Sequence, residues 1–323
     1  MNLLRALGRL GGRERGLAEL ARWLGLPEAE LRPWLSSAPA WTRGFDYTRY
    51  TIPKRRGGTR TIDAPGDKLK TLQRRVHQRL LAGLKLNSAA TGYVRGRSIV
   101  DNARPHTRQA VVINVDLADF FPSITADRVK AAWRALGWND EAATALTNIC
   151  TLDGRLPQGA PTSPALSNLV CRRLDARLAS LLAALDGAYT RYADDLTVSV
   201  PSLGRNKRRR LGPPRSGPAK PRPYKRSGLS RKLLTRLREI IEAEGFRIQW
   251  KKRVRVQRAH QRQTATGLVV NQQVNLPRST RRLIRAMQHR ERLGQLDDAG
   301  RRRLQGLVNL QQMVNKQRNS SGW

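Results

Sequence analysis

The strongest constraint on the fold is one short stretch. Ala110 to Val115 is largely apolar and β-branched, the composition of a buried strand, and it stops at the carboxylate of Asp116. Such a strand needs neighbours. Tyr189 to Val200 supplies a matching hairpin, with Leu196, Val198 and Val200 alternating with Thr197 and Ser199 behind a polar tip at Asp194-Asp195. Most of the remaining periodicity is helical. Residues 67–86 set Leu69, Leu72, Val76 and Leu80 on one face and basic residues on the other. Further helices are expected over 126–136, 142–150, 164–185 and 229–244 and from Leu276 onward, with 246–257 extended. The pattern predicts an α+β fold.

Residues 1–35 read as short amphipathic helices, with Leu17, Leu20, Ala21 and Leu24 at helical spacing and a break at Gly25 and Pro27. Tyr47 to Ala64 reads as two strands joined through Gly57-Gly58, a dipeptide that accepts the positive φ of a tight hairpin. The basic residues there, Lys54, Arg55, Arg56 and Arg60, suit a phosphate grip or a solvated loop, and both readings stand.

Composition bears on the partner. The chain has 323 residues and carries 62 Lys and Arg against 24 Asp and Glu, a net charge of +38. An excess that large must face a polyanion, with nucleic acid first and an anionic membrane surface second. Residues 203–232 hold twelve of these cations and no acid among many Pro and Gly, which predicts a flexible basic insertion; without it the chain still carries +26. Cys150 and Cys171 make no disulfide framework and no metal cluster, which fits a reducing cytosol. No apolar stretch approaches the ~18 residues of a membrane span, so a soluble intracellular protein without a membrane partner is expected.

Two constellations carry chemistry. Asp116 closes a buried strand, and Tyr192-Ala193-Asp194-Asp195 stands at a hairpin tip. Either one alone is a weak sign, since an Asp pair at a turn is ordinarily just a turn. Together, carboxylates from neighbouring strands can hold two Mg²⁺ ions about 3.5–4 Å apart, one activating a hydroxyl and the other holding a triphosphate.

With Asp116-Leu117-Ala118-Asp119-Phe120-Phe121 and Leu156-Pro157-Gln158-Gly159-Ala160-Pro161-Thr162-Ser163-Pro164, the Tyr192 to Asp195 segment resembles, in order along the chain, the catalytic motifs of reverse transcriptases. The resemblance spans roughly Tyr47 to Arg285. It implies a right-hand polymerase: an N-terminal helical cap (1–46), fingers (47–115), a palm (116–270) and a helical thumb (271–323). Asp116, Asp194 and Asp195 would be the catalytic metal ligands, with the backbone carbonyl of Leu117 as a fourth. Gln158, Gly159 and Tyr192 would border template and incoming deoxynucleotide, and Phe121 would occupy the sugar-gate position. Arg60, Lys70 and Lys251 would attend the triphosphate.

A finer resemblance rests on Asn102-Ala103-Arg104-Pro105-His106, which is similar to the Asn-Ala-x-x-His signature of retron reverse transcriptases. Ala265-Thr266-Gly267 resembles their Val-Thr-Gly motif but begins with Ala. This likeness implies RNA contacts at Asn102, His106, Thr266 and Gly267 and at Arg281, Arg282 and Arg285 of the thumb. It also implies a structured noncoding RNA partner, dNTP substrates, priming from the 2′-hydroxyl of an internal guanosine, and a branched RNA–DNA product (msDNA). A bacterial cytoplasmic setting, a retron effector protein and a role in antiphage defence belong to the same implication. An intron-type or diversity-generating reverse transcriptase, and an idle basic RNA-binding protein, remain as alternatives.

Overall fold

Apolar periodicity becomes secondary structure in the following order in a computed structural model, which describes residues 14–36, 46–54, 57–201, 227–250 and 254–319. The first elements are α1 (Leu17–Leu24), α2 (Glu28–Leu31), β1 (Tyr47–Pro53), β2 (Thr59–Pro65), α3 (Asp67–Val76), α4 (Ile99–Ala103) and β3 (Val111–Asp116). Four helices follow: α5 (Ala126–Ala135), α6 (Asp140–Cys150), α7 (Ser163–Val170) and α8 (Arg172–Ala183). The hairpin β4 (Ala188–Tyr192) and β5 (Asp195–Val200) leads to α9 (Ser227–Ala243). Last come β6 (Arg255–Arg258), β7 (Thr264–Ala265), β8 (Leu268–Val269), α10 (Arg278–Arg292) and α11 (Asp298–Asn319).

Contacts divide the chain into two units. The first holds Met1–Asn87 and Ala118–Leu174. Its helix α1 buries Leu17, Leu20, Ala21 and Leu24, the four residues at helical spacing, and ends at Gly25 with φ 64°. That left-handed cap costs glycine nothing. Buried Trp34, Trp133 and Trp138 fill out the core of this unit. Helices α5 and α6 start at side-chain caps, Thr125 and Asn139, whose oxygens accept from the N–H of Arg128 and Ala142. β1 and β2 pair antiparallel, from Tyr47 opposite Pro65 to Pro53 opposite Thr59. Gly57 and Gly58, at φ 86° and 80°, lie in the loop that joins them.

The second unit, Ser88–Leu117 and Asp175–Trp323, is built on a four-stranded antiparallel sheet in the order β4-β5-β3-β6. Val112, Val100 and Ala103 pack with Ala265, Leu268, Ile284, Leu304 and Val314 into one core, which seats α4, the β7–β8 hairpin and α10–α11 together.

Four expectations are corrected. The 67–86 helix ends sooner, as a π-helical turn over His77–Leu81. The helix expected over 164–185 is two helices, interrupted at Cys171, whose ψ of −2° departs from helical geometry. Among the described residues of 246–257 the strand is confined to the segment opening at Arg255 (Arg255–Arg258), with an isolated bridge from Ile248 to Leu117. Residues 227–232 of the expected insertion are helical, because Leu233, Leu237 and Ile241 recur every four residues and bury one face of α9. The rest of that insertion, 203–226, lies outside the described residues. Among the described residues no helix is long and apolar enough to cross a membrane.

Candidate active site

Strand register brings the carboxylates together. Asp116, the last residue of β3, lies opposite Asp195, the first residue of β5. Hairpin β4–β5 turns through Ala193-Asp194, with Tyr192 opposite Asp195, so the two-residue tip lies one position earlier than Asp194-Asp195. Ala193 takes φ 58°, a left-handed conformation that a two-residue hairpin needs and alanine resists. Backbone bonds tie the tip to its neighbours: the Leu117 N–H donates to the Asp194 carbonyl at 2.9 Å, and the Gln249 N–H donates to the Asp116 carbonyl at 2.9 Å.

Asp116 and Asp195 open onto one pocket, shared with Asn114, Arg255, Thr264, Thr266 and Gly267. A polar relay joins its lining residues Asn114 and Thr264. The Asn114 amide donates to Thr197 Oγ1 at 3.1 Å, the Gln257 amide donates to Asn114, and Gln257 Oε1 accepts from the Thr264 N–H at 2.7 Å. Two adjacent carboxylates are hard oxygen donors and fit a divalent cation of the Mg²⁺ kind better than zinc. Among the described residues no group of three or more His, Cys, Asp or Glu that could hold a metal ion is found.

The other expected residues fall as follows. In the first unit, Arg60 is exposed on β2 opposite Ile52, and Lys70 is half-buried on α3. Phe120 is buried and Phe121 half-buried, with ring centroids 5.3 Å apart. The Gln158 carbonyl accepts from the Asp63 N–H at 2.9 Å. Gly159 approaches β2 so closely that an added Cβ would lie 2.6 Å from the Asp63 carbonyl oxygen. Gly159 thus has a packing reason of its own.

In the second unit Tyr192 is half-buried. Thr266 and Gly267 make the β7–β8 turn at φ 44° and 83°, and the Thr266 hydroxyl donates to the Ile99 carbonyl at 3.2 Å. Arg281, Arg282 and Arg285 are exposed on α10, whose other face buries Ile284 and Met287. Lys251 lies outside the described residues.

Asn102 and His106 do not face outward. Both are fully buried. His106 Nδ1 and Nε2 each lie 2.7 Å from a hydroxyl, Ser199 on β5 and Thr190 on β4. The Asn102 side-chain amide donates to Thr91 Oγ1 at 2.8 Å, and the Asn102 backbone carbonyl accepts from Thr190 Oγ1 at 3.1 Å. Burial pushes the His106 imidazole down to about 3, so it is neutral at physiological pH. The expectation that these two contact RNA is therefore corrected: they brace the hairpin from inside.

Sequence reasoning missed a buried ion pair next to the site. Arg191 and Asp175 have fully buried side chains and meet in a fork, Nε to Oδ1 at 2.8 Å and Nη2 to Oδ2 at 2.7 Å. The signal was present, since an arginine in a strand directly before a catalytic-type turn breaks the apolar pattern.

Comparison with known proteins identifies the family. Residues 52–269 match the family model described as reverse transcriptase (RNA-dependent DNA polymerase). The Retron Mx162 reverse transcriptase of Myxococcus xanthus is 38% identical over 312 residues, covering 87% of this chain and 61% of that protein. The Retron Mx65 reverse transcriptase of the same organism is 36% identical over 315 residues, covering 92% and 68%. The Retron Ec86 reverse transcriptase of Escherichia coli is 41% identical over 165 residues, covering 50% and 52%. The chain thus spans between about half and two thirds of the length of these relatives. With a family match across both units and a sheet that sets Asp116 beside Asp195, the chain belongs to the reverse transcriptases, in their retron group.

Proposed function

We propose that the chain is an RNA-directed DNA polymerase of retron type, which copies part of a structured noncoding RNA into DNA. The observation that carries this reading is the register of Asp116 against Asp195 at a pocket in a basic protein. In the same reading 47–115 serve as fingers, 116–270 as palm and 271–323 as thumb, behind a helical cap at 1–46. Asp116, Asp194 and Asp195 hold the divalent ions, with the Leu117 carbonyl beside them. Two Mg²⁺ bound there supply charge stabilisation for attack of a primer hydroxyl on the α-phosphorus of a dNTP.

The chain's own residues orient the reactants. Strand ends fix the carboxylates, and the polar relay through Gln257 steadies the lining residues Asn114 and Thr264. Phe121 excludes a 2′-hydroxyl, while Arg60 and Lys70 meet phosphate. Exposed Arg281, Arg282 and Arg285 read RNA through phosphate and shape, as an A-form groove requires. Priming comes from the 2′-hydroxyl of an internal guanosine, the product is branched msDNA, and the setting is a bacterial cytoplasm where an effector protein joins it in antiphage defence. The retron relatives support the retron type of the polymerase.

One assay tests the chemistry. Asp195→Asn and Asp194→Asn should each abolish Mg²⁺-dependent dNTP incorporation on an RNA template and leave RNA affinity unchanged, since one carboxylate adds little to a polybasic footprint. Incorporation surviving in both variants would overturn the site, and equal use of ribonucleotides by the unaltered chain would overturn the Phe121 gate. RNA binding with no synthesis by the unaltered chain would instead favour an idle RNA-binding protein.

A further inference from the structure

The turn Ala193-Asp194 is held from behind by a group that touches no substrate. Arg191 makes its two-pronged contact with Asp175, and its remaining nitrogen Nη1 donates to the Ala193 carbonyl at 3.3 Å. Tyr189, two residues earlier on the same face of β4, also donates to Asp175 Oδ1 at 2.8 Å. The backbone of Arg191 is pinned as well: its N–H donates to the Ala89 carbonyl at 2.8 Å, and its carbonyl accepts from the Thr91 N–H at 2.9 Å.

We propose that Arg191, anchored by Asp175, is a positioning residue that sets the Ala193-Asp194 turn and thereby the placing of Asp194 and Asp195. This rests on the polymerase reading above.

Three observations converge on it. First, a wholly buried guanidinium–carboxylate pair is a poor way to gain stability, because desolvation offsets most of the attraction. A pair retained there is better explained by geometry it enforces. Second, the turn it reaches is strained: Ala193 sits at φ 58°, a conformation that persists only where surroundings over-determine it. The Arg191 donor supplies part of that determination at the carbonyl of the strained residue itself. Third, the turn has almost no slack on its other side. A Cβ added at Gly92 would lie 2.6 Å from the Ala193 nitrogen and 3.1 Å from Tyr192 Cα. The hairpin tip is thus caught between a backbone and a fork.

Guanidinium geometry makes the role specific. A planar group with five donors can bind a carboxylate with two and still offer another to a carbonyl; an ammonium is a point charge without a fixed fork. Arg191→Lys therefore keeps the charge against Asp175 and gives up the directed contact to Ala193.

The test uses the full chain. Removing one partner alone would leave a buried charge and unfold the protein, so the main variant is the double exchange Asp175→Leu with Arg191→Met, a replacement that buried ion pairs commonly tolerate. Arg191→Lys is the second variant. Two quantities are read beside the melting temperature: Mn²⁺ affinity, from the free-ion EPR signal with Asp195→Asn defining the site's share, and the dNTP incorporation rate at saturating nucleotide. We expect the double variant to melt close to the unaltered chain while Mn²⁺ affinity and rate each fall about tenfold or more, the scale typical of residues that orient metal ligands. Arg191→Lys should show the same direction.

A folded double variant with unchanged Mn²⁺ affinity and unchanged rate overturns the proposal, because a merely structural pair would move only the melting temperature. Failure of the polymerase reading looks different. In that case the unaltered chain incorporates no dNTP, yet the drop in Mn²⁺ affinity between it and the variants still supports the role of Arg191.

Discussion

His106 shows what a residue pattern can and cannot disclose. The spacing Asn102 to His106 is visible in the sequence, but its partners Thr190 and Ser199 lie 84 and 93 residues downstream, so burial and bonding were not legible there. A polar residue in a basic chain reads as nucleic-acid contact until the fold shows two hydroxyls facing its ring. The consequence is a pH dependence with a definite sign. The folded imidazole is held at about 3, against the ordinary 6.5, so between those values the unfolded chain binds the extra proton. Stability from this site is complete above about pH 6.5 and is lost as pH falls toward 3. The melting temperature should therefore fall between pH 7 and pH 4 more steeply for the unaltered chain than for His106→Gln. The corresponding difference in unfolding free energy is on the order of a few kcal/mol, and parallel curves would remove His106 from the acid response.

At the scale of elements, strands were the most legible. β3 and the β4–β5 hairpin fall within a residue of where alternation and β-branching put them, because a two-residue period leaves little freedom in register. Helix ends were less so: nothing in the 164–185 run marks Cys171 as a break, and apolar spacing continues across it. The hairpin tip was misplaced by one residue because two adjacent aspartates read more naturally as a turn than an alanine at positive φ. Crowding of that tip gives an element-scale prediction. Gly92→Ala places a Cβ against backbone, not against a side chain able to swing aside, so the hairpin itself must move. Displacement of a catalytic group by about 1 Å can cost on the order of a hundredfold in rate, and a loss of that order in dNTP incorporation is expected. Gly306→Ala on α11, where a Cβ meets open space, serves as the control and should leave the rate unchanged. A Gly92→Ala chain as fast as the control would show that the tip tolerates the shift.

For the molecule as a whole, the excess of positive charge is the property that no single element explains. The sequence read it as a polyanion partner, and the fold adds where part of it sits: α10 buries Ile284 and Met287 and turns Arg281, Arg282 and Arg285 outward. Residues 203–226 carry a further ten Lys and Arg and no acid. The two sources can be separated by counterion release, since each neutralised phosphate contributes about 0.9 for a duplex, or about 0.7 for a single strand, to the slope of log affinity against log salt. Deleting 203–226 removes these cations while sparing α9, which starts at Ser227. If the segment grips nucleic acid, the slope measured on an RNA template should become shallower by about 0.7 to 0.9 for every phosphate it had neutralised, and affinity at low salt should fall with it. Arg281→Gln with Arg285→Gln should lower the slope separately, by the share of up to about two phosphates. A deletion that leaves the slope where it was would assign counterion release to the rest of the chain alone.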